Sequence, residues 1–220
     1  MQRHVIPHAV SRSLATEEDA IAMGEVVLRR GLPGDFDAAV AVWRVASAAR
    51  RDGRPSSPEQ EARVRASLRK PDAFFVVADD AGVVVSMAVG MQGLAHDGAG
   101  PPSVGLCFIS MVFVAPDRWD EGIGGRTVDA VLAEARSRGY DRAQLWTHAD
   151  NRRAQRLYVG RGFRRSGREK DDDHGDLIVH YERRLGNERA EEAMRHDPSR
   201  SPSSCSVNSS PLPPHDQNEI

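Results

Sequence analysis

Residues 112–126 read VFVAPDRWDEGIGGR, and this stretch carries most of the information about the fold. An apolar strand ends before Pro116, a short polar turn follows, and glycines open the next helix. This order presents several backbone N–H groups at the positive end of a helix, which makes a binding site for a diphosphate. The sequence therefore predicts an anion site between a strand ending at Val114 and a helix that begins at the glycines.

Two nucleotide-binding motifs fit this turn poorly. A nucleotide P-loop needs Lys and then Ser or Thr after its last glycine, whereas Gly125 is followed by Arg126 and Thr127. A dinucleotide-binding fingerprint needs a third glycine at the position of Thr127. This fingerprint lies directly after the first strand of a βαβ unit. This turn lies past the middle of the chain, so a different diphosphate ligand is favoured.

The spacing resembles the acetyl-CoA pyrophosphate turn of the GCN5-related N-acetyltransferase (GNAT) family. The resemblance rests on Val114-x-Pro116-x-x-Trp119-x-x-Gly122-Ile123-Gly124-Gly125. Trp119 stands where the family more commonly has Gln or Arg, and Asp120 stands where glycine is frequent. Backbone contacts to a diphosphate should survive both changes.

A second motif supports the same resemblance. It reads Asn151-x-x-Ala154-x-x-Leu157-Tyr158-x-x-x-Gly162-Phe163 and is similar to the family's second conserved helix and the strand after it. One helix and one strand separate the two motifs, as the family requires. The resemblance implies an α/β (α+β) GNAT fold, a mixed central sheet of about seven strands flanked by about four helices.

Hydrophobic periodicity predicts the element order βααβββαβαββ within a domain of residues 23–185. Residues 1–22 are expected to be a flexible lead-in, and the Ser/Pro-rich residues 186–220 a disordered tail. Residues 106–114 form a nearly continuous apolar run, so this strand should be buried on both faces. Residues 93–103 are expected to form a loop that overhangs a substrate site.

The resemblance implies which residues hold acetyl-CoA. Val112 and Val114 would pair with the pantetheine arm through their backbone, and the N–H near Val112 could polarise the thioester. The diphosphate would bind backbone N–H groups of the turn, with a charge-assisted bond from Arg126 as one alternative to a solvated side chain. The turn residues in this prediction are Trp119, Glu121, Gly122, Ile123, Gly124, Gly125 and Arg126. Asn151 is either a helix N-cap or a pantetheine contact, and both roles are compatible.

Two residues are predicted to be catalytic. The resemblance places Tyr158 where a phenol donates a proton to the departing CoA sulfur. Many relatives carry a glutamate as base on the strand before the turn, but Phe108 occupies its approximate place. His148 is therefore the best titratable candidate for the base, with Ser110 and Asp150 as other water relays and a structural histidine as the alternative.

The composition and charge of the chain argue against several other functions. The formal charge of the 220 residues is −2, so whole-chain electrostatics give no reason to expect nucleic acid or an anionic membrane. No apolar run approaches the roughly 18–20 residues of a membrane span, and polar residues interrupt any signal-peptide core near the N-terminus. Cys107 is expected to be a core residue. A cytoplasmic protein with no membrane partner, no nucleic-acid partner and no metal is expected.

Two charged segments admit more than one interpretation. Arginines between residues 152 and 165 could contact RNA or the CoA 3′-phosphate, but no aromatic residues interleave, so a solvated helix face is favoured. The acidic run 171–173 is usually a solvated turn and could instead attract a cationic amine.

The sequence thus favours an acetyl-CoA-dependent N-acetyltransferase that uses direct attack in a ternary complex. The acceptor is expected to be a primary amine of a small molecule, with protein N-termini, lysines or aminoacyl-tRNA as alternatives. A non-catalytic acyl-CoA-binding module is the rival, since the strand glutamate is missing. A homodimer is left open.

Overall fold

The structure, a computed structural model, describes residues 25–172 and 175–186 and contains one seven-stranded mixed sheet. Its order is β1-β2-β3-β4-β5-β7-β6; β4 and β5 are parallel, and every other neighbouring pair is antiparallel. The strands are β1 (Val27–Arg30), β2 (Phe74–Asp80), β3 (Val83–Leu94), β4 (Pro102–Val114), β5 (Arg142–His148), β6 (Arg164–Asp171) and β7 (Leu177–Arg184).

Four α-helices cover the two faces of this sheet. They are α1 (Phe36–Arg50), α2 (Pro58–Leu68), α3 (Ile123–Ser137) and α4 (Arg152–Gly160). Apolar residues of α1 and α2 pack with β2 and β3 in one core, and those of α3 and α4 pack with β4, β5 and β7 in the other. The element order and the predicted fold class are confirmed.

The starts of α1 and α2 are bonded in different ways. Ser57 and Gln60 form a capping box at α2, with Gln60 N–H donating to Ser57 Oγ at 3.2 Å and Ser57 N–H to Gln60 Oε1 at 2.9 Å. Asp35 precedes α1, but its side chain makes no cap hydrogen bond to the helix. Its carboxylate instead accepts from Leu32 N–H at 2.8 Å and from the Arg29 guanidinium, because an arginine on β1 competes for it.

One expectation about β4 is wrong, and the loop before this strand is shorter than predicted. Leu106, Cys107 and Ile109 are buried, but residues 110–114 are only half-buried, because the neighbouring strand β5 diverges from this part of β4. The predicted loop is present at residues 95–101, between the end of β3 at Leu94 and the start of β4 at Pro102. The short connection between them lies at the end of β4 opposite the glycine turn.

Some predictions fall on other parts of the chain. The lead-in and, apart from Gly186, the tail lie outside the described residues. Within the described part of the chain, no helix is both long enough and apolar enough to cross a bilayer.

Candidate functional site

The glycine turn presents a row of unpaired backbone donors. Asp120 and Gly122 both adopt left-handed backbone conformations, with φ of 68° and 75°. Glycine reaches this region without penalty, and aspartate is one of the few other residues that visits it. The first α3 hydrogen bond is donated by Arg126 N–H to the Gly122 carbonyl at 3.2 Å. Within the described residues, none of the N–H groups from Asp120 to Gly125 donates a hydrogen bond, so all can serve an anion.

A buried hydroxyl pair fixes this end of α3 to the sheet. Ser86 Oγ on β3 hydrogen-bonds the Phe113 carbonyl at 2.8 Å and lies 2.9 Å from Thr127 Oγ1. Thr127 Oγ1 also donates to the Ile123 carbonyl at 2.9 Å, and Ile123 itself is 2% exposed. The turn is therefore held rigidly against the ends of β3 and β4.

Gly125 leaves room for the Arg161 guanidinium beside the start of α3. A Cβ atom at this position would lie 2.0 Å from the Arg161 guanidinium, whose Nε donates to the Gly125 carbonyl at 3.2 Å. At Gly124 a Cβ would meet Val114 and Leu157 at 3.4 and 3.5 Å, which is ordinary contact. The two adjacent glycines thus have different physical roles.

The sheet opens next to this turn. β4 and β5 pair only from Leu106 to Phe108 and then separate. Ala115 N–H donates to the Val85 carbonyl and Phe113 accepts from Ser86, so alternate residues of β4 direct their backbone toward β3. The backbone groups of Val112 and Val114 consequently face the open side, where no strand among residues 25–172 and 175–186 pairs with them.

A β-bulge interrupts β4 at the point of separation. Val89 pairs with Met111 and Gly90 with Ile109, which leaves Ser110 as the extra residue. The Ser110 Oγ is buried without a hydrogen-bond partner among the described residues. Bulges of this kind free backbone groups from regular pairing and are common next to functional sites.

Two adjoining cavities fill the opening and share Val112, Asn151 and Tyr158 in their walls. The turn arm, with a volume of about 550 Å³, is lined by Val114, Trp119, Gly122–Gly125, Arg153 and Leu157 among others. The histidine arm, with a volume of about 650 Å³, is lined by Ser110, Trp146, His148, Asp172 and Asp176 among others. The opening is therefore one cleft with two chemically different ends.

The Trp119 side chain closes the outer end of the turn arm. Its indole Nε1 donates to the Val114 carbonyl at 2.9 Å, so this carbonyl already has one hydrogen-bond partner on the open side. The Arg153 guanidinium lies 4.6 Å from the centre of the Trp119 ring. Trp119 thereby links β4, the turn and α4.

Two predicted side chains lie away from the cleft. The Arg126 guanidinium donates to the Val26 carbonyl at 2.6 Å and is not part of either cavity wall. The exposed Glu121 carboxylate pairs with Arg118 at 2.9 Å. The structure therefore does not place the Arg126 charge near the turn arm, because the side chain leaves α3 toward the segment before β1.

Asn151 and Tyr158 both lie at the junction of the two arms. Asn151 caps α4, its Oδ1 accepting from Ala154 N–H at 3.1 Å, so the N-cap role is confirmed. The Tyr158 ring packs on Phe163 with centroids 5.8 Å apart. Burial raises the pKa of the Tyr158 phenol above its ordinary value, so the hydroxyl is protonated at neutral pH.

His148 lies at the end of β5 between two carboxylates. Its Nε2 is 3.9 Å from Asp172 and its Nδ1 is 4.0 Å from Asp176. Burial lowers the pKa of His148, and the nearby Arg50 lowers it further, against the opposing effect of the aspartates. The imidazole is therefore neutral at pH 7 and able to accept a proton.

The same three residues could also hold a cation. One ligand atom from each of His148, Asp172 and Asp176 lies within 4.8 Å of the others, a spacing that would admit a divalent ion. The prediction that no metal is needed stays a prediction.

Cys107 offers no nucleophile, since it is fully buried and burial raises the pKa of its thiol to about 12.

Sequence reasoning missed most of the histidine arm. Arg50 lines both arms, and Trp43 and Ser47 line the histidine arm from the same helix, α1. Asp176 approaches His148 from the start of β7. No motif marks these residues, because they meet only when α1 packs over the diverging strands.

Comparisons with known proteins agree with this architecture. The model of the acetyltransferase (GNAT) family matches residues 39–163. Among solved structures, Ard1 from Thermoplasma volcanium is 19% identical with a TM-score of 0.58, covering 74% of this chain and 99% of that one. The ribosomal-protein-S18-alanine N-acetyltransferase from Escherichia coli is 17% identical with a TM-score of 0.57, covering 74% and 96%.

A third structure contains the coenzyme. The PaiA N-acetyltransferase from Thermoplasma acidophilum, solved in complex with coenzyme A, is 15% identical with a TM-score of 0.53, covering 71% of this chain and 98% of that one. At these identities the structural likeness establishes the fold alone. No curated protein sequence matches the chain.

Proposed function

The chain belongs to the GNAT family of acetyltransferases, and on that premise we propose that it transfers the acetyl group of acetyl-CoA to a primary amine of a small molecule. The observation that carries this proposal is the unpaired row of N–H groups from Asp120 to Gly125 beside the open backbone edge of Val112 and Val114. A diphosphate followed by an extended amide-containing chain is the ligand that these two features fit together.

Acetyl-CoA would span the cleft in a defined direction. The diphosphate would bind the backbone N–H groups from Asp120 to Gly125 and the positive end of α3. The pantetheine arm would lie along the edge of Val112 and Val114, between β4 and Asn151. The thioester would then reach the junction of the two arms, near the Ser110 bulge, whose freed backbone donors could polarise the carbonyl.

The transfer step needs two proton movements. The neutral amine nitrogen attacks the thioester carbon, a C–N bond forms, and the C–S bond breaks with its electron pair leaving on sulfur. Tyr158 would donate a hydrogen bond or its proton to this sulfur, since its buried phenol stays protonated at neutral pH. His148 would accept the proton that the attacking nitrogen loses, directly or through water.

The histidine arm would receive the acceptor. Its volume of about 650 Å³ suits a small molecule, and Asp172 and Asp176 beside His148 would attract an ammonium group before its deprotonation. Protein N-termini, lysines and aminoacyl-tRNA remain alternative acceptors. A cytoplasmic location, where acetyl-CoA is available, is part of this proposal.

Calorimetry and a thiol-release assay on the full chain test the proposal. Acetyl-CoA should bind the folded protein with measurable heat, and at least one amine should stimulate release of free CoA thiol. The amine panel should include small amines, a peptide with a free N-terminus and an aminoacyl-tRNA, since the responding class identifies the acceptor. Absence of binding would refute the proposal, and binding without turnover on every acceptor would favour a non-catalytic acyl-CoA-binding module.

A further inference from the structure

The turn arm has one cation that is both exposed and only weakly committed elsewhere. Within the described residues, the cations lining this arm are Arg50, Arg118 and Arg153. The Arg118 side chain is only 17% exposed and pairs with both Asp80 and Glu121. Arg50 lies on the wall shared with the histidine arm. Arg153, at 49% exposure, is therefore the cation at the outer end of the turn arm.

Arg153 is held in a fixed direction by two contacts. Its guanidinium lies 4.6 Å from the centre of the Trp119 ring, so the ring limits its movement. Its NH2 atom is 3.0 Å from Asp120 Oδ2, on the residue that begins the row of unpaired N–H groups. The Asp120 side chain is 83% exposed. An exposed ion pair of this kind contributes little to the free energy of folding, so Arg153 can exchange Asp120 for another anion.

Within the described residues 119–126, no positive side chain lines the cleft. The Arg126 guanidinium is bound to the Val26 carbonyl, and the Trp119 side chain carries no charge. Backbone N–H groups and the helix end supply only partial charges, whereas the phosphates of a coenzyme carry full negative charges. An arginine is the side chain best suited to supply the missing charge, because its planar fork matches phosphate oxygens.

We propose that Arg153, oriented by Trp119 and Asp120, binds a phosphate group of coenzyme A and so determines affinity for the phosphorylated coenzyme. The proposal rests on the proposed function, since it takes coenzyme A as the ligand of the turn arm. When the coenzyme binds, the guanidinium exchanges Asp120 for phosphate oxygens while its stack on Trp119 persists. Both the diphosphate and the 3′-phosphate offer this chemistry.

Binding affinities of matched variants test this assignment. Arg153→Met removes the charge and keeps an apolar contact to Trp119, and Arg153→Lys restores a charge without the planar fork. Arg152→Met is the control, because Arg152 is the exposed neighbour on the same helix and lies outside the lining of both arms. Each variant is titrated calorimetrically with acetyl-CoA and with 3′-dephospho-acetyl-CoA, and its melting temperature is recorded.

We expect Arg153→Met to weaken acetyl-CoA binding about tenfold, Arg153→Lys to recover part of this loss, and Arg152→Met to bind as the wild type does. An equal loss with 3′-dephospho-acetyl-CoA identifies the diphosphate as the partner, and a loss confined to acetyl-CoA identifies the 3′-phosphate. If Arg153→Met binds like Arg152→Met, or if Arg153→Lys binds no better than Arg153→Met, the assignment is overturned while the proposed function stands. If the wild type does not bind acetyl-CoA, both fail.

Discussion

The two arms of the cleft are built in different ways. The turn arm uses backbone N–H groups from one continuous segment, Asp120–Gly125, and the open edge of the strand just before it. The histidine arm uses side chains from α1, β4, β5 and β7, which are far apart in the chain. The unpaired backbone donors are therefore placed by local sequence, whereas the side chains at the other end are brought together by tertiary packing.

Tyr158 joins the two arms, and its hydroxyl should have the largest effect on the reaction. We expect Tyr158→Phe to lower kcat about 100-fold with little change in the Kd for acetyl-CoA, because the ring keeps its packing on Phe163 and Tyr181. Steady-state kinetics and calorimetry measure the two quantities.

Tyr181→Phe provides the matched control for this variant. Tyr181 is also buried, but its hydroxyl donates to Gln155 at 3.4 Å and does not line either arm. The control should turn over at the wild-type rate. Unchanged turnover in Tyr158→Phe would remove the phenol from the mechanism and leave the junction without a proton donor.

His148 tests whether the histidine arm supplies the base. Its pKa is lowered below 6.5 by burial and by Arg50, so kcat/KM in the wild type should fall as the pH drops through that lowered value and should be flat near neutrality. His148→Gln should reduce kcat/KM about tenfold at pH 7 and abolish this acid limb.

A structural histidine would behave differently. His148→Gln would then lower the melting temperature while the pH profile kept its acid limb. The pH profile thus separates a proton acceptor from a residue that only supports the arm, and the Kd for acetyl-CoA should stay unchanged under the first interpretation.

The contrast between the arms also explains what could be predicted from the sequence. All seven strands, four helices and their order follow from local patterns, such as the capping box at Ser57 and the left-handed residue Gly139 after α3. The turn was recognisable for the same reason, because its glycines lie within a few residues of the strand that ends at Val114.

Features that depend on neighbouring elements were not predictable in this way. The apolar run of β4 gave no sign that β5 would diverge after Phe108 and expose the strand edge. Nothing in the local sequence marks Ser110 as a bulge, since neither glycine nor proline is present there. For Arg126 the sequence leaves open a bond to the diphosphate or a solvated side chain, but the guanidinium binds the Val26 carbonyl instead.

Gly122 and Gly124 offer the smallest effect and the sharpest test of the backbone-built arm. Gly122 has a φ of 75°, so Gly122→Ala should cost about 1 kcal/mol of folding free energy. Because the added methyl group should shift the backbone of the turn, Gly122→Ala should also bind acetyl-CoA a few-fold more weakly than the wild type. Thermal unfolding and calorimetry would detect both changes.

Gly124→Ala is the natural comparison, because it introduces the same methyl group two residues away in a helical conformation. Its Cβ would make only ordinary contacts, at 3.4 Å to Val114 and 3.5 Å to Leu157, and alanine favours helices over glycine by about 1 kcal/mol. We therefore expect Gly124→Ala to be at least as stable as the wild type. Equal destabilisation by both substitutions would mean that crowding, and not the left-handed backbone at Gly122, determines the shape of the turn.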